Sequence, residues 1–436
     1  MNDLAKSDLR HLWHPFTQQQ EWARDPMLII DRAEGCWLVD VDGNRYIDGV
    51  SSLWTNVHGH RHPRLDAALR AQVDRVAHST LLGLSHPPAI ELAAQLSRLA
   101  PEGLQRVFFS DNGSTSVEIA LKMAFQFHQQ TGQTGRTRFA SLRDAYHGDT
   151  LGAVSVGAID LFHSIYRPLL FDALALPAPT TPGGTEEAEA LARAMDLLEA
   201  HGHELAALVV EPLVQGAAGM KMHSEAFLRP LLERARELGV LLVADEVAVG
   251  FGRLGSLFAM EQVAVAPDFL CLAKGLSAGY LPLAATLATE RVYEAFLAEP
   301  DAYRQFFHGH TFTGNPLACA VALENLRLFE ETDLLAHVRA RSAQLSDLLG
   351  PLAGLPGVSG VRHRGVMVGI DLVAPDGTAY PSARRSGHRV AMAARPLGAV
   401  IRPLGDTIVL NPPLSIRANE LARLVGITAA AIEAAA

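Results

Sequence analysis

The chain has 436 residues, 49% of them apolar and 19% charged, with 36 glycines and 24 prolines. This is the make-up of a globular enzyme and excludes a disordered, fibrous or collagenous chain. Acidic residues outnumber basic ones by 47 to 37, a net charge of −10, and no basic stripe is left to neutralise a nucleic-acid backbone. The length corresponds to roughly three domains' worth of chain. Three cysteines, Cys36, Cys271 and Cys319, are too few and too scattered for a disulfide framework, so a reducing, cytoplasmic setting is expected. No stretch reaches about 18 apolar residues without a charge, and the start, MNDLAKSDLRHLWHP, lacks a basic-then-apolar leader. Neither membrane insertion nor export is expected.

Apolar runs of strand length alternate with longer helical patterns, which predicts an α/β fold around a mainly parallel sheet. In chain order, the clear strand candidates are Arg106–Ser110, Ala207–Glu211, Val240–Asp245 and Phe269–Ala273. Each ends in a polar residue or a glycine loop, where open α/β sheets bind ligands. A helix is predicted over Thr115–Gln129, because Val117, Ala120, Leu121, Ala124 and Phe127 recur at three- and four-residue steps. Pro179–Ala188, PTTPGGTEEA, reads as a surface loop. After Asn315-Pro316 one long helical pattern runs through Leu349. Short strands at Val358–Val361, Val366–Leu372 and Thr407–Leu410 follow, then a terminal helix, and these make a smaller α+β domain from about residue 331 onward.

The sharpest chemical signal is a pair of strand ends. Five apolar residues lead into Asp245 and five more into Lys274, and a charge at the end of a buried strand is costly without a partner. One reading pairs them with each other or with solvent. The other gives the lysine a carbonyl with which to form a Schiff base, and gives the carboxylate a ring nitrogen to keep protonated. A second signal is Ser110-Asp111-Asn112-Gly113-Ser114-Thr115, which follows a strand and opens a helix. Backbone N–H groups near Gly113 and Ser114 can hold a phosphate there, or Ser114 or Thr115 can serve as an ordinary cap. A phosphate cradle, a Schiff-base lysine and a pyridinium-binding acid are together what pyridoxal phosphate (PLP) requires.

Competing patterns are weaker. Gly250-Phe-Gly252-Arg-Leu-Gly255 matches G-x-G-x-x-G, with Asp268 further on, as in a dinucleotide-binding oxidoreductase. Asp245 and Glu246 just before it would repel a pyrophosphate, and no long helix clearly follows. His58-Gly-His60 and His308-Gly-His310 lack the companion ligands of a metal site, so no metal is expected. No G-x-S-x-G elbow supplies a hydrolase nucleophile. Arg402, among apolar residues, answers either a substrate carboxylate or a structural one.

From Trp13 onward the chain resembles the fold-type-I, class III PLP aminotransferases, through ADEVAVGFGRLG, LAKG, EPLVQGAAGM and HGHTFTGNPLACA. HLWHPFTQ at His11–Gln18, SSLWTNVHGH at Ser51–His60, DAYHGDTLGAVSVG at Asp144–Gly157 and the Arg402 segment resemble the biotin-synthesising members, which transaminate 8-amino-7-oxononanoate. The resemblance implies three parts: 1–60, packing with the small domain and active site; 61–330, a large PLP-binding domain; and 331–436, the small domain. It implies that Lys274 bonds the cofactor and moves the substrate proton, and that Asp245 binds the pyridine nitrogen. Gly113, Ser114 and Thr311 would hold the phosphate, Thr311 from the other subunit of a homodimer. Tyr146 would stack on the ring and Val247 would cover its other face, while Trp54, Gly309 and Arg402 would line the substrate site. Phe16 stands where the family pattern has a tyrosine, and Leu53 replaces the first tryptophan of a pair. Phe16 keeps a ring but lacks a hydroxyl able to bond the amino donor, so S-adenosylmethionine and lysine are both carried as donors. An ω-amino acid:pyruvate or ornithine-type transaminase is the alternative within the class.

Overall fold

The runs Leu205–Val210 and Leu241–Asp245 are buried at every position, as expected of central strands covered on both faces. In the computed structural model, which describes residues 3–157, 159, 164–180 and 182–435, they lie at the middle of a seven-stranded sheet. Its order is Leu104–Ser110, Ala284–Thr289, Phe269–Leu272, Leu241–Asp245, Leu205–Val210, Arg138–Leu142 and Ala173–Leu176. Ala284–Thr289 runs antiparallel to both of its neighbours and the other pairs are parallel. The expected mainly parallel α/β architecture is therefore observed. Three of its strands, Arg138–Leu142, Ala173–Leu176 and Ala284–Thr289, were not among the clear strand candidates. The last, AATLAT, is half alanine, a residue depleted in strands, and has no Val, Ile or aromatic residue to mark it.

Besides a two-stranded pair, Val214–Gln215 with Lys221–Met222, two further four-stranded sheets are formed. Val358–Arg364, Met367–Leu372, Thr407–Leu410 and Arg402–Leu404 form an antiparallel sheet near the C-terminus. Ile30–Glu34, Trp37–Asp40 and Arg45–Asp48 form a second antiparallel set, and Ala399–Val400 adds to it in parallel. The N-terminal segment is thereby stitched to chain some 350 residues later, and Trp37 Nε1 donates to Glu420 across the same join at 2.8 Å.

Two expectations at helix boundaries are corrected. The pattern after Asn315-Pro316 is two helices, Pro316–Glu331 and Leu334–Leu349, broken where Asp333 takes φ +48. The predicted loop at 179–188 ends early, because Gly184 already opens a helix that runs to His201. Its Glu186 and Glu187 suit the positive end of that helix. Residue 181 of that loop and the first two residues of the N-terminal segment lie outside the described residues. No helix among the described residues is long and apolar enough to cross a membrane.

Candidate active site

Parallel neighbours place their C-terminal ends at the same sheet edge, and Asp245 pairs in register with Cys271, three residues before Lys274. Both charges therefore reach the crevice where ligands bind in such sheets. The crevice is a cavity of about 830 Å³, large enough for a cofactor and a substrate together. Asp245, Lys274, Gly113, Ser114, Tyr146, Val247, Phe16, Leu53, Trp54 and Arg402 all line it. Of the residues singled out from the sequence, Thr311 and Gly309 do not. They lie on an exposed segment beside His308 and His310.

Lys274 sits in a tight turn, Lys274–Ser277, with its own backbone at φ +45. Its ammonium nitrogen lies 4.9 Å from the centre of the Trp54 ring. Burial pushes its pKa below the ordinary 10.5, opposed by the nearby charges of Asp245 and Glu211. A lysine held this way gives up its proton more readily than one in water.

Asp245 is held from two sides. Oδ1 accepts from Val247 N at 3.0 Å, and Oδ2 lies 2.7 Å from His147 Nδ1. A carboxylate oxygen can only accept, so Nδ1 of His147 carries the hydrogen in that bond. His147 Nε2 has no partner among the described residues. Sequence reasoning missed His147, although it sits in the quoted DAYHGD. It missed Glu211 too, whose two oxygens accept from Tyr146 N at 3.1 Å and Gly216 N at 2.9 Å. Burial raises Glu211 to about 7. Tyr146 points its hydroxyl at Asp149, donating at 2.8 Å, and burial together with that carboxylate raises its pKa.

The helix Gly113–Gln130 opens at the cavity rim behind a capping box, in which Asn112 Oδ1 accepts from Thr115 N at 3.1 Å. The N–H groups of Gly113 and Ser114 find no acceptor among the described residues, so an anion-binding first turn is open. Space there demands glycine. A Cβ on Gly113 would stand 2.4 Å from Val247 Cγ1, and one on Gly148 would stand 2.4 Å from Ser114 Cβ. Ser114 Oγ in turn meets Thr150 Oγ1 at 2.8 Å, and Thr150 bonds Glu118 at 2.7 Å.

The substrate side is built on an unusual backbone. Ser51, Ser52, Leu53 and Trp54 all have φ between +48 and +75, a left-handed turn that costs L-residues on the order of 1–2 kcal/mol each. Asp48, fully buried, accepts from Ser52 N at 3.0 Å, Ser52 Oγ at 2.8 Å and His60 Nε2 at 2.9 Å. Arg253, 1% exposed, donates to Ser51 Oγ at 3.1 Å, Asn411 Oδ1 at 3.2 Å, Pro412 O at 2.9 Å and Asn56 O at 2.8 Å. The arginine of the GFGRLG run is thus a buried clamp. The run itself does not open a long helix, since the one that follows is only Met260–Val263, and a dinucleotide fingerprint is not formed. The histidines of the two H-G-H pairs are likewise committed elsewhere, His58 to Asn325, His60 to Asp48, His308 to Lys122 and His310 to Asp111.

Trp54 Nε1 and Arg402 Nε are buried without hydrogen-bond partners, and Arg402 has no ion pair among the described residues. A buried lysine, an oriented carboxylate, an open helix N-terminus and a Cβ-intolerant cradle fit pyridoxal phosphate, and with this sheet they define a fold-type-I PLP enzyme. A model of the family described as aminotransferase class-III matches residues 18–432. The adenosylmethionine-8-amino-7-oxononanoate aminotransferase of Nitratidesulfovibrio vulgaris is 55% identical over 433 residues, covering 97% of this chain and 80% of that protein. The like-named protein of Geobacter sulfurreducens is 50% identical, covering 97% and 95%. Of solved structures, the adenosylmethionine-8-amino-7-oxononanoate aminotransferase of Methanocaldococcus jannaschii matches with a TM-score of 0.95 at 40% identity, covering 99% and 98%. An amine transaminase of an uncultivated Pseudomonas species in its PLP-bound form matches at 0.90 and 38%, covering 98% of each chain. The chain belongs to the class-III aminotransferases and is a PLP-dependent enzyme.

Proposed function

We propose that this aminotransferase carries an amino group to the 7-keto carbon of 8-amino-7-oxononanoate, giving 7,8-diaminononanoate for biotin synthesis, with S-adenosylmethionine as donor and lysine as the alternative. The observation that carries it is identity of 50% and more along 97% of the chain to two enzymes bearing that name.

When bound, PLP supplies an electron sink for the carbon that loses its proton. The remaining work falls to the chain's own groups. Lys274, its amine depressed by burial, takes the proton from the donor's α-carbon and returns one to the acceptor carbon. Asp245, aimed by His147 and Val247 N, holds a proton on the ring nitrogen. The first turn at Gly113 and Ser114 would hold the phosphate, Tyr146 and Val247 would hold the ring, and Trp54 and Leu53 would exclude water from the reacting side. Arg402 takes a substrate carboxylate. Phe16 offers an apolar edge without a hydroxyl, and Thr311 and Gly309 are contributed by a second copy of the chain in a cytoplasmic homodimer. Large apolar side chains on the outside support that assembly, Trp13 and Leu82 at 89% exposed among them.

Purified holoenzyme is expected to transaminate 8-amino-7-oxononanoate with S-adenosylmethionine or lysine, and Lys274→Ala to be colourless and inactive. Unchanged turnover in that variant refutes the assignment. A second reading, an amine or ω-amino acid:pyruvate transaminase, is favoured by the Pseudomonas neighbour. Pyruvate outperforming 8-amino-7-oxononanoate as acceptor in parallel assays selects it.

A further inference from the structure

Asn325 is fully buried on the helix Pro316–Glu331, and its amide reaches from that helix to the turn that carries Lys274. Nδ2 donates to the carbonyls of Gly275 at 2.8 Å and Leu276 at 2.9 Å. Carbonyl oxygens only accept, so the orientation of the amide is settled by chemistry and Oδ1 faces away from the turn. There it meets His58 Nε2 at 2.8 Å. An amide oxygen also only accepts, so that ring nitrogen carries the hydrogen. Burial drops His58 to about 4, which keeps the imidazole neutral. Its ring is packed against Phe329 and His62, with centroids at 5.4 and 5.6 Å.

The turn needs such support. Lys274 and Ala278 bound it with φ +45 and +53, and Leu276 N to Ala273 O at 2.9 Å and Ala278 N to Gly275 O at 3.0 Å are the backbone bonds that close it. Short 3₁₀ turns of this kind have poor hydrogen-bond geometry. We propose that Asn325, oriented by His58, is a positioning residue for Lys274: by capping the carbonyls of Gly275 and Leu276 it fixes the left-handed backbone that aims the amine into the cavity beneath Trp54. The inference rests on Lys274 being the working amine.

The test compares Asn325→Leu, His58→Leu and His58→Gln as holoenzymes. Asn325→Leu is expected to lower kcat about ten- to hundredfold with the donor KM within about twofold. It should also shift the pH at which the visible band titrates. In the apoprotein, hydrogen exchange of the 275–280 peptide should speed up. His58→Gln, whose amide can still donate to Oδ1, should stay close to wild type, and His58→Leu should fall between. Wild-type kcat, titration and exchange in Asn325→Leu would overturn the proposal, as would a loss of kcat that only tracks bound cofactor or folded fraction. If Asn325→Leu does not fold, His58→Leu decides, and an unchanged band titration and exchange in it count against the proposal. Should Lys274→Ala remain active, the reading of Lys274 is what has failed. If Lys274→Ala is dead while Asn325→Leu behaves as wild type, only the positioning role falls.

Discussion

A guanidinium with a buried nitrogen and no carboxylate partner among the described residues is built to receive one. Arg402 is that residue on the cavity wall, and burial depresses its pKa. Arg402→Ala should remove a charged hydrogen bond of about 1.5–3 kcal/mol, raising KM for a carboxylate-bearing substrate about ten- to hundredfold. An unchanged KM would make it structural. Lys274 carries the opposite imbalance, a cation whose desolvation outweighs its acidic neighbours. With a folded pKa below 10.5, the unfolded chain binds the proton more tightly, so the penalty is present near neutrality and fades as pH rises toward 10.5. Lys274→Met apoprotein should therefore melt a few degrees above wild type at neutral pH, with the gap closing in alkali, as differential scanning calorimetry would show. Lys274 and Asp245 were legible because each ends a run of five apolar residues, where a charge stands out. His147, Glu211 and Arg253 were not. Their roles lie in bonds to Asp245, 98 positions away, to Tyr146, 65 away, and to Asn411, 158 away, and no local pattern encodes such pairings.

Among elements, the left-handed turn at Ser51–Trp54 shows how strain is held in place. Its conformation is costly for every residue in it, and Asp48 holds it at Ser52 while Arg253 holds it at Ser51. Arg253→Lys keeps the charge but lacks the planar fork that reaches four acceptors. It should cost about 3–5 kcal/mol in urea unfolding and lower turnover while cofactor is still bound. Wild-type stability would show the clamp to be dispensable. A buried carboxylate makes a second element-level prediction. Glu246 accepts from Ala259 N at 2.7 Å and Met260 N at 2.8 Å, yet burial raises it to about 8. The unfolded chain releases this proton first, so the contribution of Glu246 is full below pH 4.5 and is lost as pH rises through about 8. The melting temperature of wild type should therefore fall relative to that of Glu246→Gln as pH rises through that window, and a constant difference would contradict it. The central strands were readable as apolar runs and the helix from its three- and four-residue steps over Thr115–Gln129, whereas the left-handed turn was not. Ser-Ser-Leu-Trp carries no glycine to mark it, because the conformation is imposed by tertiary bonds.

For the molecule as a whole, the N- and C-terminal regions share a sheet through Asp48 and Val400, while Gly309 and Thr311 stand apart from the cavity they were expected to serve. The proposed homodimer would bring that segment to the partner's cavity, and light scattering should then give twice the 46.9 kDa chain mass. Co-expressed Lys274→Ala and Thr311→Asp chains should then regain activity that neither has alone, because one of the two sites in the mixed dimer combines an intact lysine with an intact partner loop. Absence of complementation would place Thr311 outside the site. The central claim, that Lys274 is the amine bonded to the cofactor, can be read directly because the chain has only four lysines, Lys6, Lys122, Lys221 and Lys274. Borohydride reduction of the holoenzyme followed by peptide mass mapping should find the pyridoxyl group on Lys274 alone; label on another lysine, or on none, would contradict the account.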